Sequence, residues 1–259
     1  MWISKYFILF IIFSFIGWVY ESIYSIVKKK RWEKRGFLYG PVCPIYGCGA
    51  IAISLVKEYV FPWVGISYSV LNIFLVAFFG SAVLEFATSW ILERIFHAVW
   101  WDYSELPFNI QGRISLITSI CFGLAGIPVA VWFVPAAKDI IGDVSPILAE
   151  LLALVLMAVL AMDMTITVSA LNHFERVIDM LENSFNERMV ELVNGVQEKN
   201  GTAKDILSLP KESVNNAIES MGSMYQRALL RVNEFRDRRA GKEYSNQLLE
   251  AIKTRIRGA

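Results

Sequence analysis

The sequence predicts an all-α membrane protein, a polytopic bundle of about five transmembrane helices followed by a cytoplasmic, coiled-coil-like helical tail. Two observations predict it. Hydrophobic residues make up 55% of the 259 residues and charged residues only 19%. The two kinds are also segregated, because apolar runs fill residues 1–170 whereas charges recur every few positions in residues 171–259. We therefore predict two domains with these bounds, a transmembrane bundle and a helical tail.

Five apolar segments are candidate spans, because a helix needs roughly 20 mostly apolar residues to cross the hydrocarbon core. They cover residues 2–27, 41–56, 66–95, 114–134 and 144–170. The second is short and is interrupted by glycine and proline. The third is long, so a tilted helix or a cytoplasmic extension is expected.

Basic residues predict the orientation of the bundle. The stretch KKKRWEKR, residues 28–35, directly follows the first span and is the strongest short basic cluster beside an apolar segment. Such loops stay on the cytoplasmic side. The N-terminus is therefore expected outside, and the loop of residues 93–113 and the tail inside. The lipid bilayer is the first predicted partner, and a net charge of +1 argues against nucleic acid.

The tail carries a heptad-like pattern. Apolar residues recur at spacings of three and four in residues 171–196 and again in residues 214–235. No helix-breaking residue separates the first pattern from the fifth span. The fifth helix is therefore predicted to leave the membrane as a stalk that ends at Asn200-Gly201. A second helix is predicted after Pro210. The two helices could form an antiparallel hairpin or pair between subunits.

Acidic residues inside predicted spans require a reason, because each costs ~2.5–3.5 kcal/mol on insertion scales. Glu21, Glu85 and Asp163 are such residues, and the predicted orientation places all three in the cytoplasmic half, at a depth similar to that of Arg113. One interpretation is a polar cavity open to the cytoplasm and lined by these four residues. The other is that Glu85 or Glu21 pairs with Arg113 and holds helices together. Three acids against one arginine leave unpaired charge, which slightly favours a cavity or a proton- or cation-sensitive site over structural pairing.

The second span also has an unusual start. Gly40, Pro44 and Gly47 lie at its cytoplasmic mouth, where free backbone N–H groups with Arg35 nearby could attract an anion. The alternative is a proline-started helix whose glycines allow close packing. The aromatic-rich loop of residues 97–113 could lie at the interface and cover the cavity.

The sequence contains no P-loop, no G-x-S-x-G, no H-E-x-x-H and no paired-cysteine motif. We therefore predict no catalytic residue, metal or cofactor, and we do not expect an enzyme. A metal between His97 and Asp102 is disfavoured because the chain has only two histidines. Any nucleotide hydrolysis would come from a partner chain.

Three segments carry a family resemblance. They are FSFIGWVYESIYS (13–25), RGFLYGPVCPIYGCGA (35–50) and EFATSWILERIFHAVWWDYSELPFNIQGRISL (85–116). Together they resemble a bacterial family of ABC-transporter permeases, the CmpB-like group. The most specific piece is W-W-D-Y-S…P-F-N…G-R-I at residues 100–114.

The resemblance implies a multi-pass protein of the bacterial plasma membrane with a permease-like role and an ATPase partner chain. The family pattern maps onto Glu21, Arg35, Gly36, Gly40, Pro41, Pro44, Gly47, Glu85, Trp101, Asp102, Tyr103, Asn109, Gly112 and Arg113. The candidate ligand-binding residues are Glu21, Arg35, Gly40, Pro44, Gly47, Glu85, Trp101, Asp102, Tyr103, Asn109, Arg113 and Asp163.

Three functions are compatible with these features. The first is a permease-like subunit whose cytoplasm-facing cavity binds a small or anionic ligand, as a homo- or hetero-oligomer, since five helices are few for a transporter. The second is a membrane sensor or scaffold that signals through its coiled-coil tail. The third is a lipid-modifying enzyme that uses Glu21 or Glu85 as acid or base, although no nucleophile accompanies them.

Overall fold

Seven α-helices and four short strands make up the part of the chain that the computed structural model describes, residues 2–30, 36–195, 232, 234–235 and 253–254. The helices are α1 (Trp2–Lys29), α2 (Pro44–Leu55), α3 (Phe61–Val64), α4 (Val70–Phe96), α5 (Leu116–Pro128), α6 (Val134–Gly142) and α7 (Pro146–Gly195). Two π-helical segments, Val56–Val60 and Val129–Phe133, join α2 to α3 and α5 to α6. The strands are β1 (Ala98–Val99), β2 (Asn109–Ile110), β3 (Ile114–Ser115) and β4 (Glu234–Phe235).

Four helical segments among the described residues are long and apolar enough to cross a membrane. They are Trp2–Val27, Val70–Phe96, Leu116–Gly142 and Pro146–Asn172. Large apolar side chains on their outer faces have no protein cover, for example Val83, which is 67% exposed, and Leu154, which is 63% exposed. Apolar faces of this extent are those of helices surrounded by lipid. The predicted membrane helix bundle is confirmed.

The second predicted span differs from the others in its structure. It consists of α2, a π-helical segment and α3, and it is not among the four apolar segments. It begins at Pro44 rather than near residue 41, because proline suits the first helical position, where no N–H partner is needed. Lys57 and Glu58 lie in its π-helical segment.

A proline explains each π-helical segment. Pro62 and Pro135 lie in the first turn of the α-helix that follows each segment. Proline lacks the N–H that would bond to the carbonyl four residues earlier, and its ring pushes against that carbonyl. The carbonyls concerned belong to Glu58 and Val131, inside the π-helical segments. A wider turn at these positions relieves the clash.

Local signals fix the ends of the helices near the polar loops. Helix α4 begins after Ser69, whose hydroxyl accepts the Asn72 N–H at 3.2 Å, and α5 begins after Ser115, which forms a capping box with Thr118. Helix α4 ends at His97, whose φ of 51° is left-handed. The chain therefore turns sharply out of α4 into the aromatic loop.

Small residues let neighbouring helices approach closely. Helix α1 packs on α2, and α4 packs on α5. A Cβ on Gly47 would lie 2.3 Å from Ser14 Oγ and 2.5 Å from the carbonyl oxygen of Phe10. A Cβ on Gly126 would lie 2.3 Å from that of Ala77. Gly47 therefore serves helix packing, which is the usual use of glycine inside membrane bundles.

The apolar core lies in the half of the bundle where α1 and α4 begin. One cluster joins α1, α2, α6 and α7 and consists of Ile8, Leu9, Phe13, Ala50, Val134, Ile141, Ala149 and Ala153. A second consists of Ile53, Phe61, Ile73 and Ala130. The other half of the bundle contains the buried Glu85 and the half-buried Glu21 and Asp163.

The tail agrees with the prediction in one part and differs in another. Helix α7 runs for 50 residues without a break, which confirms that the last span continues into the stalk. Its predicted end at Asn200-Gly201 lies outside the described residues. The predicted second helix is wrong at its end, because Glu234–Phe235 form strand β4 and pair with β1. The coiled coil stays a prediction, since the rest of that helix lies outside the described residues.

Candidate functional site

The first acid–tyrosine pair joins α1 to α2. The Tyr46 hydroxyl donates a 2.6 Å hydrogen bond to Glu21 Oε1. The Tyr46 ring occupies the space beside Gly17, where a Cβ would lie 2.3 Å from the ring. Tyr20 and Phe122 contact the same ring, with centroids 6.2 and 6.1 Å away. The absence of a side chain at Gly17 is therefore what lets Tyr46 reach Glu21.

The second pair joins α4 to the aromatic loop. The Tyr103 hydroxyl donates a 3.1 Å hydrogen bond to Glu85 Oε1. Glu85 is only 4% exposed, and its Oε2 has no hydrogen-bond partner among the residues that the structure describes. Among the described residues, each acid thus receives its hydrogen bond from a neutral phenol.

The two pairs belong to one site. Glu21 and Glu85 interact electrostatically although they lie on different helices. Burial raises the pKa of Tyr103, as do the charge of Glu85 and its hydrogen bond, and Glu21 adds to the same effect. The Tyr103 hydroxyl therefore keeps its proton and remains a donor. Glu21, Tyr46, Glu85 and Tyr103 are called the acid–tyrosine site.

Arg113 does not belong to the acid–tyrosine site. Its guanidinium forms an ion pair with Glu93 at 2.5 Å, and the two side chains are only 7% and 12% exposed. It also donates a 3.2 Å hydrogen bond to Ser89 Oγ. One of the two sequence-based interpretations was an ion pair of Arg113 with Glu85 or Glu21. The pair is formed instead with Glu93, which lies near the end of α4. Within the described chain, no basic side chain bonds to either acid of the site.

Polar side chains of the aromatic loop hold its backbone in shape. Asp102 Oδ1 accepts the Ser104 N–H at 2.9 Å. A Cβ placed on Gly112 would lie only 2.4 Å from the same oxygen. The φ of Gly112 is also left-handed, at 68°. The Asn109 amide donates to the Leu106 carbonyl at 2.8 Å and accepts the Gly112 N–H at 3.1 Å. Asp102 and Asn109 are therefore structural residues of the loop.

The same loop directs Tyr103 towards the helices. The Trp101 indole donates to the Arg113 carbonyl at 3.0 Å, and the Tyr103 N–H donates to the Gly112 carbonyl at 2.8 Å. Strands β2 and β3 pair in an antiparallel hairpin that closes the loop. Tyr103 and Arg113 reach the helices, and the other motif residues fix the loop around them.

Asp163 of α7 holds the loop that precedes α2. Its two carboxylate oxygens accept the Gly40 N–H at 3.1 and 2.9 Å, and Thr167 Oγ1, one turn later, accepts the Tyr39 N–H at 3.0 Å. One of the two interpretations of this segment was that free N–H groups attract an anion. The Gly40 N–H is bonded to a carboxylate of the protein itself, that of Asp163. Arg35, the predicted basic neighbour, lies outside the described residues.

Substitution Asp163→Ala is expected to release this loop. A hydrogen bond to a charged group contributes about 1.5–3 kcal/mol, so hydrogen exchange of the Gly40 amide should become roughly 10–100 times faster. Exchange mass spectrometry on the full chain measures it. The matched control is Asp143→Ala, an exposed acid at the end of α6, which should leave Gly40 unchanged. Equal exchange in both variants would show that the loop is held by other contacts.

Pro44 and Gly47 position α2 against α1. Pro44 is the first residue of the helix. The preceding Cys43 N–H donates to the Ser14 carbonyl at 2.9 Å, which docks the start of α2 on α1. These contacts fix the position of Tyr46 along α1, next to Glu21.

Sequence reasoning missed a second polar cluster, at the opposite end of the bundle. Lys138 of α6 forms an ion pair with Glu58, and the Tyr6 hydroxyl donates to Glu58 Oε2 at 2.8 Å. The cluster joins α1, α6 and a π-helical segment. An available signal was the opposite charge of Glu58 and Lys138 in two predicted outer loops. No group of three or more His, Cys, Asp or Glu residues in the described part of the chain could hold a metal ion.

The fold and the site together define a polytopic helical membrane protein in which two acids, one of them buried, meet tyrosine hydroxyls in one half of the bundle. The family model described as "Putative ABC-transporter type IV" matches residues 8–168, more than half of the chain, and the chain belongs to this family. The match includes the whole acid–tyrosine site and confirms the resemblance seen in the sequence. Comparisons with curated proteins and with solved structures give no match.

Proposed function

We propose that this chain is the permease-like membrane subunit of an ABC-type transporter, and that its acid–tyrosine site binds a small inorganic cation. The observation that carries the proposal is the state of Glu85. It is 4% exposed, one of its oxygens has no hydrogen-bond partner in the described chain, and a second acid lies nearby. Glu85 is buried and Glu21 is half-buried, and neither has a basic partner among the described residues, so a compensating positive charge would stabilise the pair.

The energies favour a bound ion over the tyrosine contacts alone. Each acid costs ~2.5–3.5 kcal/mol to place inside the membrane, and one hydrogen bond to a charged group returns about 1.5–3 kcal/mol. The repulsion between Glu21 and Glu85 is added to this cost. A cation bound between the two acids removes the repulsion and bonds to the oxygen that the tyrosines leave unpaired.

The contacts also favour a cation over the anion considered from the sequence. The positive and N–H groups that would hold an anion are already bonded to the protein's own carboxylates. Arg113 is paired with Glu93, and the Gly40 N–H is bonded to Asp163. The acid–tyrosine site presents carboxylate and phenol oxygens, which suit a hard cation.

Family membership supports the transport role, and the sequence supports a divided complex. The chain has no nucleotide-binding motif, so ATP hydrolysis requires a separate ATPase chain. The basic stretch of residues 28–35 follows the end of α1 beyond Glu21, so the positive-inside rule assigns the acid–tyrosine site to the cytoplasmic half. The small number of spans favours an oligomer.

Thermal unfolding of the full-length protein in lipid nanodiscs tests the cation site. The protein is titrated in turn with NaCl, KCl and MgCl2 at constant ionic strength. One of these cations should raise Tm saturably, since a ligand that binds only the folded state stabilises it by about 2.7 kcal/mol at 100 times its Kd. Glu85→Gln and Glu21→Gln should abolish the shift, and Glu105→Gln, an exposed acid of the same loop, should retain it. The absence of any shift that depends on Glu85 would refute the site.

Gentle purification from the native membrane tests the permease role separately. The chain should be isolated with a partner that hydrolyses ATP, at a rate that Glu85→Gln lowers and Glu105→Gln does not. Repeated isolation of the chain alone, under conditions that preserve other membrane complexes, contradicts the permease role and leaves the cation site standing.

A sensor or scaffold is the second candidate function, and the contact between the tail and the loop favours it. Strand β4 of the tail pairs with β1, four residues before Tyr103. In this role the bundle binds the cation and the tail reports it to another protein. Removal of residues 236–259 spares β4 and its pairing with β1. It separates the two roles, because a permease keeps cation-dependent ATP hydrolysis without this end of the tail, whereas a sensor that signals through it loses its output.

A further inference from the structure

We infer that the tail segment of residues 232–235 is a positioning element, which holds the aromatic loop so that Tyr103 reaches Glu85. The inference rests on the proposed function only for the role of the acid–tyrosine site. Its structural part, that the tail fixes the loop, stands without a ligand.

The first step is the strand pairing itself. Strands β1 and β4 are antiparallel, with Ala98 opposite Phe235 and Val99 opposite Glu234. Ala98 and Val99 are 1% and 5% exposed, and Val232, just before β4, is 1% exposed. Both residues of β1, and the residue that shortly precedes β4, are therefore buried. Strand β4 supplies the ladder partners that the buried backbone of β1 would otherwise lack.

The second step is the short path from β1 to the site. Tyr103 follows Val99 by four residues, and the Trp101 indole and the Tyr103 N–H are bonded within the loop. On the other side of β1, the left-handed turn at His97 ties the loop to the end of α4. The loop is thus held by the end of α4, by the β2–β3 hairpin and by β4. Loss of one of these three supports frees the segment that carries Tyr103.

The third step is the dependence of Glu85 on this loop. Its described hydrogen bond comes from the Tyr103 hydroxyl, and its other oxygen has no such partner in the described chain. Movement of Tyr103 therefore changes the hydrogen bonding of a buried acid. The tail and the membrane site are coupled through β1, so an event that withdraws the tail also changes the acid–tyrosine site.

Hydrogen exchange on the full-length protein tests the positioning. The double variant Glu234→Pro/Phe235→Pro removes both backbone donors of β4, and Glu234→Thr/Phe235→Val keeps them as the matched control. Peptides covering residues 98–106 should exchange about tenfold faster in the proline variant than in the control. Peptides within α5 should not change. Equal exchange of residues 98–106 in both variants overturns the inference.

A double-mutant cycle tests the coupling to Glu85. Tyr103→Phe should lower Tm in the control background and lower it much less in the proline background, where the phenol has already lost its position. The same loss in both backgrounds would show that Tyr103 is placed independently of the tail. Neither result depends on a cation, so the failure of the cation titration remains distinguishable from the failure of this inference.

A cysteine pair covers the case in which the proline variant does not fold. Val99→Cys with Glu234→Cys places two thiols opposite each other in the register, at a spacing that a disulfide can bridge. Mild oxidation should link the two peptides, as identified by mass spectrometry, and should slow exchange at residues 100–104. Absence of the link, or a link without slower exchange, contradicts the positioning role.

Discussion

Substitution Arg113→Ala is expected to destabilise the protein by about 3–5 kcal/mol, because it leaves a buried carboxylate without its partner. Glu93 is 12% exposed in the ion pair and Arg113 is 7% exposed, so water replaces little of what is lost. The hydrogen bond to Ser89 is lost at the same time. Thermal or denaturant unfolding of the full-length protein in nanodiscs measures the effect.

Two further variants separate the ion pair from a general loss of positive charge. Arg94→Ala removes an exposed arginine next to Glu93, in the last turn of α4, which lies over the Trp90 ring. Little change in stability is expected. Arg113→Ala/Glu93→Ala removes both charges and should recover part of the stability. If Arg113→Ala costs no more than Arg94→Ala, the ion pair does not support the loop.

The fold was largely predictable because lipid imposes a strong rule on composition. Long apolar runs must become helices inside a bilayer, and four of the predicted spans appear as such. The second span was harder, since its course depends on backbone geometry at two points. The helix begins only at Pro44, and a π-helical segment precedes Pro62 near its end. Neither feature changes the hydropathy from which spans are predicted.

The acids of the site were predictable, and their partners were not. Glu21, Glu85 and Asp163 stand out because charge is rare in membrane helices. Which side chain meets each acid depends on how the helices are rotated against one another, and hydropathy leaves that rotation undetermined. Asp163 consequently bonds to Gly40 and not to the acid–tyrosine site. Glu93 was overlooked because an acid at the end of a helix is expected to face water.

The tail strand shows a different limit of local patterns. Apolar spacing over residues 214–235 predicts a helix, yet the last two residues pair with β1. The partner strand β1 follows α4 directly and lies more than 100 residues away in sequence. A pattern read along one segment contains no information about such a partner.

Substitution Gly47→Leu is expected to destabilise the protein by about 3 kcal/mol or more, at the upper end of overpacking effects. The first added atom would already lie 2.5 Å from the Phe10 carbonyl oxygen and 2.3 Å from Ser14 Oγ. The first of these is backbone, so α1 and α2 must move apart as units. Thermal unfolding of the full-length protein in nanodiscs measures the loss.

Gly80→Leu is the matched control, because Gly80 lies inside α4 and nothing lies within 4 Å of a Cβ placed there. A leucine at this position should stabilise the helix by about 0.5–1 kcal/mol, since glycine is a poor helix former. Opposite signs of the stability change at the two glycines are the decisive result.

Separation of α1 from α2 also draws Tyr46, the neighbour of Gly47, away from Glu21. Gly47→Leu should therefore weaken the cation-dependent rise in Tm, and Gly80→Leu should retain it. An equal rise in both variants would mean that the contact between α1 and α2 does not set the geometry of the site.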